Sequence, residues 1–261
     1  MDIQALRAFE DNYIWLLRDD SRAGSGGGSR VIAVDPGEAD PVLRYLAEAR
    51  AELAAILVTH HHGDHTGGIG DLLARHAAPV FGPANEAIDV VTRPSREGDI
   101  IRLPGFAELQ VLETPGHTHG HLAYYGDGAL FCGDTLFGCG CGRLFEGTAE
   151  QMWASLNKLA ALPGATDVFC AHEYTQSNIR FALAVEPDNA ALRERAERAA
   201  RLRAENRPTV PLTLAEEKAT NPFLRCDQPA VIAAAERRHG KSLTNPAAVF
   251  VVLREWKNDF R

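Results

Sequence analysis

The sequence predicts an α/β protein, a mixed layer of strands and helices followed by a small helical segment. Three observations carry that expectation. Short apolar runs bounded by turn residues dominate the first part of the chain. Stretches of helical spacing are interleaved with them, as a layered α/β architecture requires. After about residue 174 the strand-like runs give way to Ala-, Arg- and Glu-rich helical stretches punctuated by proline. The 261 residues leave room for one large domain or two small ones. We place the boundary at 173, with an α/β domain over 1–173 and a small helical domain over 174–261.

The elements follow in order. IWLL (14–17) and VIAV (31–34) read as strands, with DDSRAGSGGGSR between them as a mobile hairpin tip. AAILVTH (54–60) reads as a buried strand, and HTGGIGDLLARHA (65–77) turns to helical spacing. APVFG (78–82), LQVLETPGH (109–117), ALFCGDT (129–135) and TDVFCAHE (166–173) return to strand. TAEQMWASLNKLAA (148–161) opens on a Thr N-cap and carries Trp153, Leu156 and Leu159 at helical spacing. Beyond it, 174–185, 188–205, 228–238 and 245–257 are helical, and the Arg and Glu interleaved over 188–205 read as a solvated face.

Charge and cysteine content narrow the function. A net charge of −8 argues against a general nucleic-acid surface. No apolar run approaches the roughly 18 residues of a membrane span. The first residues, MDIQALRAFEDNYIWLL, lack the basic start and apolar core of a signal peptide. Five cysteines is too few and odd a number for a disulfide framework, so a cytoplasmic location is expected. The spacing of Cys139 and Cys141 is not that of common zinc sites, and the pair reads as a tight glycine-rich loop.

The chemistry is concentrated in THHHGDH (59–65), which holds four histidines and an aspartate. His60 ends a buried strand. His62, two residues on, points to the same side in extended backbone, while His61 points away and is not expected to be a ligand. Asp64 and His65 stand where the next helix begins. Other strands end in a similar way, with His117, Asp134 and His172 each just past an apolar run. Side by side in one sheet, such strand ends would gather their polar side chains at one edge. Burying that many ionisable groups without a partner is costly, and a bound cation removes the cost. Seven candidate ligands exceed the four that one zinc takes and suit two ions, with the two oxygens of Asp134 able to bridge them. His76 and His239 read as structural or surface residues.

THHHGDH, TPGHT (114–118), CGDTLF (132–137) and AHEYT (171–175) resemble the metallo-β-lactamase superfamily, whose fold is an αββα sandwich with a dinuclear metal site. DNYIW (11–15), VDPG (34–37), GCGRLFEGT (140–148), AHEYTQSNIRFA (171–182), NPFLR (221–225) and REWKNDF (254–260) resemble the glyoxalase II, or hydroxyacylglutathione hydrolase, family over nearly the whole chain. That resemblance implies His60, His62 and His117 on one metal, and Asp64, His65 and His172 on the other, with Asp134 bridging. It makes Asp64 and Asp134 catalytic and His121 an orienting neighbour. It assigns glutathione contacts to Arg143, Tyr174, Arg254 and Lys257, with Phe145 where some members carry Tyr. Zinc is the expected metal, with iron or manganese as alternatives.

The implied reaction is cleavage of S-D-lactoylglutathione, or another S-(2-hydroxyacyl)glutathione, to glutathione and D-lactate or another 2-hydroxy acid. A metal-bridging hydroxide would attack, in the last step of methylglyoxal detoxification. A glutathione thioester is then the expected partner, with no nucleic acid or membrane, and a monomer the expected state. Two rival readings are a persulfide dioxygenase of the same fold with a single iron, and a non-catalytic binder of metal or glutathione conjugates. The helical tail with NPFLR and REWK speaks against the first, and the complete ligand set against the second.

Overall fold

A computed structural model describes residues 1–19 and 28–260. The greater part of the expected 19–30 hairpin tip therefore lies outside the described residues. The chain divides into two units. One comprises Met1–Glu113 with His119–Gly133, and the other Thr114–Thr118 with everything from Asp134 onwards.

The first unit is built on two sheets. β1 (Asp2–Ala8) and β2 (Asn12–Asp19) form an antiparallel hairpin in register Asp2↔Arg18 to Ala8↔Asn12. β3 (Arg30–Val34) adds antiparallel to β2. Helix α1 (Ala39–Ala49) then carries the chain to β4 (Glu52–Leu57), which lies parallel to β3. Val42 and Leu46 bury one stripe of α1, and Arg50 stops the helix in the left-handed region at φ 51°. Two short helices, α2 (Gly63–Thr66) and α3 (Ile69–Leu73), lead to parallel strands β5 (Val80–Pro83) and β6 (Arg93–Ser95). The central strands read as unbroken apolar runs because they are covered on both faces: Val31–Val34 and Ala55–Leu57 are almost wholly buried. The second sheet runs β10-β9-β8-β7 and is antiparallel, with β7 (Ile100–Ile101), β8 (Leu109–Glu113), β9 (Leu122–Gly126) and β10 (Ala129–Gly133). β9 turns into β10 through Asp127-Gly128, both at positive φ, the two-residue hairpin that this pair favours. Tyr124 of β9 donates its hydroxyl to Val58 O (2.6 Å), tying the second sheet to the chain just beyond β4.

The second unit is mostly helical. Strands β11 (Leu136–Phe137) and β12 (Gly140–Cys141) form a small hairpin. α4 (Ala149–Ala160) starts on a full capping box between Thr148 and Gln151. β13 (Asp167–Cys170) precedes α5 (Thr175–Val185) and α6 (Ala190–Ala204), and β14 (Leu212–Thr213) returns to pair with β13. α7 (Leu214–Thr220), a 3₁₀ turn at Pro222–Leu224, α8 (Pro229–His239) and α9 (Pro246–Asp259) complete it. Phe181, Phe223 and Phe250 are buried together, and their ring centroids are less than 6 Å apart in sequence Phe181–Phe223–Phe250. Among the described residues no helix is long and apolar enough to cross a membrane.

Three expectations need correction. The strand ends carrying candidate ligands do not share one sheet, because β4 belongs to the first sheet and β8 and β10 to the second. The helical stretch at 65–77 is two short helices split at Gly67-Gly68. A side chain at Gly68 would collide with the backbone at the start of α1. The face of α6 is not wholly solvated, since Arg195 is 2% exposed and paired with Glu217 of α7.

Candidate metal centre and substrate cavity

In the first unit the four candidate ligands of THHHGDH converge because β4 runs straight into the segment that carries them. Asp35, one residue past β3, anchors that segment. Its Oδ1 accepts from Thr59 N–H (2.7 Å), and its Oδ2 from the Thr59 hydroxyl (2.8 Å) and His65 Nδ1 (3.0 Å). Since the Thr59 hydroxyl donates to Asp35, it accepts from His60 Nδ1, 3.0 Å away. Both rings therefore carry their proton on Nδ1 and present a bare Nε2. This is the arrangement in which an imidazole binds a metal while its other nitrogen is held in place. His60 Nε2 lies 3.1 Å from His62 Nδ1, and His65 Nε2 lies 3.5 Å from Asp64 Oδ2. Two donors about 2.0–2.1 Å from one tetrahedral ion stand about 3.3 Å apart, so both spacings match the edge of a coordination shell. Asn12 donates to Asp64 Oδ2 (3.1 Å) and fixes the carboxylate. His121, fully buried, stacks on His60 with centroids 4.8 Å apart. His61 turns away to Glu86 (3.0 Å), and His119 is exposed.

In the second unit Asp134 stands between two imidazoles. Its Oδ2 is 3.4 Å from His117 Nε2 and its Oδ1 is 3.4 Å from His172 Nε2. Each oxygen thus faces a different ring, again at the spacing of shared coordination. His117 donates Nδ1–H to Arg143 O (2.8 Å), which leaves its Nε2 bare. Tyr174 lies flat on His172, with centroids 4.7 Å apart and planes 4° apart, and Phe145 meets His117 edge-on at 5.2 Å.

A cavity of about 480 Å³ opens beside this group, and His117 and Asp134 form one wall. Arg143, Tyr174, Arg254 and Lys257 line it, together with Phe145, which is 62% exposed. Burial lowers the pKa of Lys257, and the cations of Arg254, Arg143 and Arg180 lower it further. A cluster of like charges around a cavity is relieved by an anion, so the cavity is suited to carboxylates. Arg254 also has a structural task. It is buried under Phe223 and donates to Cys141 O (2.9 Å), so it does not lie on a solvated helix face. Both thiols of the CGC loop are buried, and burial pushes Cys139 up to about 12 and also raises Cys141. Neither is a thiolate at neutral pH, in keeping with the loop reading.

Asp35, Thr59 and Asn12 escaped the sequence reading. The signal for Asp35 was present: it is an acid just past an apolar strand, like Asp134. Replacing Asp35 with alanine is expected to weaken metal affinity by roughly tenfold to a hundredfold, because His65 and Thr59 lose their anchor. Competition with a chromophoric chelator measures this, and wild-type affinity in that variant would contradict the role.

Known proteins supply an independent line. A family model described as the metallo-beta-lactamase superfamily matches residues 13–172, and one described as the hydroxyacylglutathione hydrolase C-terminus matches 173–260. A protein of Nitrosomonas europaea named hydroxyacylglutathione hydrolase is 51% identical over 262 residues, covering 100% of this chain and 97% of its own. One of the same name from Alkalilimnicola ehrlichii is 55% identical over 259 residues, covering 98% of each. Among solved structures, ETHE1 from Myxococcus xanthus superimposes with a TM-score of 0.66 at 26% identity, covering 98% of each chain. TTHA1623, described in a di-iron-bound form, gives a TM-score of 0.57 at 27% identity, covering 86% of this chain and 100% of its own.

Proposed function

The chain belongs to the hydroxyacylglutathione hydrolase family of the metallo-β-lactamase superfamily, and on that premise we propose that it hydrolyses S-(2-hydroxyacyl)glutathione thioesters, S-D-lactoylglutathione among them, to glutathione and the 2-hydroxy acid. The observation that carries this is the end-to-end identity above 50% with proteins of that name. The cation-lined cavity beside His117 and Asp134 supplies the physical complement, because glutathione carries two carboxylates. We assign the catalytic part to the region up to 173 and substrate binding to the helical remainder. The edges of the two family matches, at 172 and 173, support that division.

The donor set fits divalent metal ions: imidazole nitrogens and carboxylate oxygens at coordination-edge spacing, with the other ring nitrogen held in His60, His65 and His117. We propose His60, His62 and His117 for one ion and Asp64, His65 and His172 for the second. The opposed oxygens of Asp134 support its place as the bridge. Zinc is the proposed metal, and the di-iron form of TTHA1623 supports two ions in this fold. Such ions supply a water acidic enough to attack at neutral pH and a Lewis acid for the thioester carbonyl.

The residues of the chain do the rest. Asp64 and Asp134 offset the charge of the cations while Asn12 keeps Asp64 in position. Arg143 and Lys257 hold the glutathione carboxylates, and Tyr174 and Phe145 cover the thioester with apolar ring surface. The departing glutathione thiol has an ordinary pKa of roughly 8.5, so the chain need not protonate it fully before it leaves. We further propose a monomer located in the cytoplasm; the five free cysteines support the location.

The test is release of free thiol from S-D-lactoylglutathione by metal-loaded protein. Fast turnover, abolished by a chelator and restored by zinc, is expected. Fully loaded protein that releases no thiol would sink the assignment.

A further inference from the structure

The stretch between Asp134 and Arg143 is held by side chains from elsewhere in the second unit. Strands β11 and β12 contribute two residues each, too little to fix a hairpin by themselves. Instead, its backbone polar groups are taken one after another. Asn221 Nδ2 donates one hydrogen to Gly140 O (2.9 Å), with Phe137 O sharing it at 3.3 Å, and Asn178 Nδ2 donates to Gly138 O (3.1 Å). Glu217 Oε2 accepts from Cys139 N–H (3.0 Å), and Arg254 donates to Cys141 O. Asn221 is fully buried and saturated. Its Nδ2 also lies 2.9 Å from Glu217 Oε2, while its Oδ1 accepts from Phe223 N–H (3.0 Å). There is no slack behind the turn either, because side chains at Gly138 and Gly140 would run into Thr175 and Asn178 of α5.

Both ends of this clamped stretch meet candidate ligands. A side chain at Gly142 would collide with the backbone carbonyl of Asp134, so the outgoing strand lies directly against that residue. The next residue, Arg143, offers the carbonyl that orients His117 and a side chain that lines the cavity. A shift of the hairpin would therefore move the Asp134 carboxylate, the His117 ring and Arg143 together. An error of 1 Å in such a group is enough to cost a large factor in rate.

We propose that Asn221 is a positioning residue of the reaction centre. Through the hairpin it sets the placement of Asp134 and His117 and so the affinity for metal. The inference rests on the assignment of those two residues as ligands. Asn221→Ala is expected to lower metal affinity and kcat by roughly tenfold or more each. The His117 ring N–H resonance should also shift or broaden in the proton NMR spectrum as its bond to Arg143 O loosens. Asn178→Ala frees the same turn at Gly138 without touching α7, and is expected to show the same pattern more weakly. Arg198→Ala, which removes an exposed ion pair between α6 and α7, should leave metal affinity unchanged. Chelator competition, thiol release and the NMR signal are read on each full-length protein, with thermal melting to confirm folding. Wild-type affinity, kcat and resonance in folded Asn221→Ala would overturn the proposal. Should that variant not fold, the same result in Asn178→Ala overturns it. Failure of the wild-type protein to bind metal at all would instead strike the ligand assignment beneath it.

Discussion

Asp134→Ala is expected to reduce thiol release by roughly a thousandfold or more, which corresponds to about 4 kcal/mol of transition-state stabilisation. The expectation follows from the two oxygens of one carboxylate facing two different imidazoles, His117 and His172, each at 3.4 Å. Asp134→Asn is the sharper variant, since it keeps the shape and leaves one oxygen. Its amide nitrogen must replace one of the two oxygens, and an NH2 group cannot ligate a cation as a carboxylate oxygen does, so one side is lost whichever way the amide lies. The Asn variant should therefore fold like the wild type, hold fewer than two ions per chain, and turn over slowly. Elemental analysis after dialysis, read alongside kcat, separates this from simple instability. A folded Asn variant with two ions and normal turnover would remove Asp134 from the bridging position.

Much of this centre was legible because of how strands end. An apolar run followed closely by His or Asp marks a polar side chain at a sheet edge; THHHGDH, Asp134 and His172 carry that mark, and His117 stands four residues past the end of β8. Asp35 carries it too, but in VDPG it sits among turn residues, and a single acid there looks like ordinary turn chemistry. Its importance appears only when Thr59 and His65, 24 and 30 residues away, are seen to share its oxygens. The assignment of strands to one sheet failed for a related reason. Local pattern shows that a strand is buried but not which neighbour it pairs with, and β4 pairs parallel with β3 and β5 while β8 pairs antiparallel with β7 and β9. Arg195 was misread from composition, although its position held a clue. Leu192, Arg195 and Ala199 fall on one helical stripe, and that stripe is buried.

The Arg195–Glu217 pair makes the largest stability prediction. Both side chains are almost fully buried, at 2% and 0% exposure. Arg195 donates to Glu217 and, through Nη1, to Thr220 Oγ1 (2.6 Å), while Glu217 also accepts from Cys139 N–H and Asn221. Removing Arg195 leaves Glu217 buried without its cation, and removing Glu217 leaves Arg195 only the longer contact to the partly exposed Glu216 (3.5 Å), at a cost of about 3–5 kcal/mol. Total stability of a domain is about 5–15 kcal/mol, so Glu217→Leu alone should shift the denaturation midpoint severely. Arg195→Met combined with Glu217→Leu removes both charges and should recover a large part of that loss. Recovery should nevertheless stop short of wild type, because Cys139 N–H and one Asn221 amide hydrogen lose their acceptor, at about 1–3 kcal/mol for a buried donor left unmade. Together with Arg195→Met alone, these variants form a double-mutant cycle whose coupling energy is large and whose double variant lies between the singles and the wild type. Urea denaturation with an unchanged slope measures it. A Glu217→Leu variant within about 1 kcal/mol of wild type would mean that the pair is solvated rather than buried. A double variant no better than the singles would mean that the hydrogen bonds to the hairpin, and not the opposite charges, are what hold α7 in place.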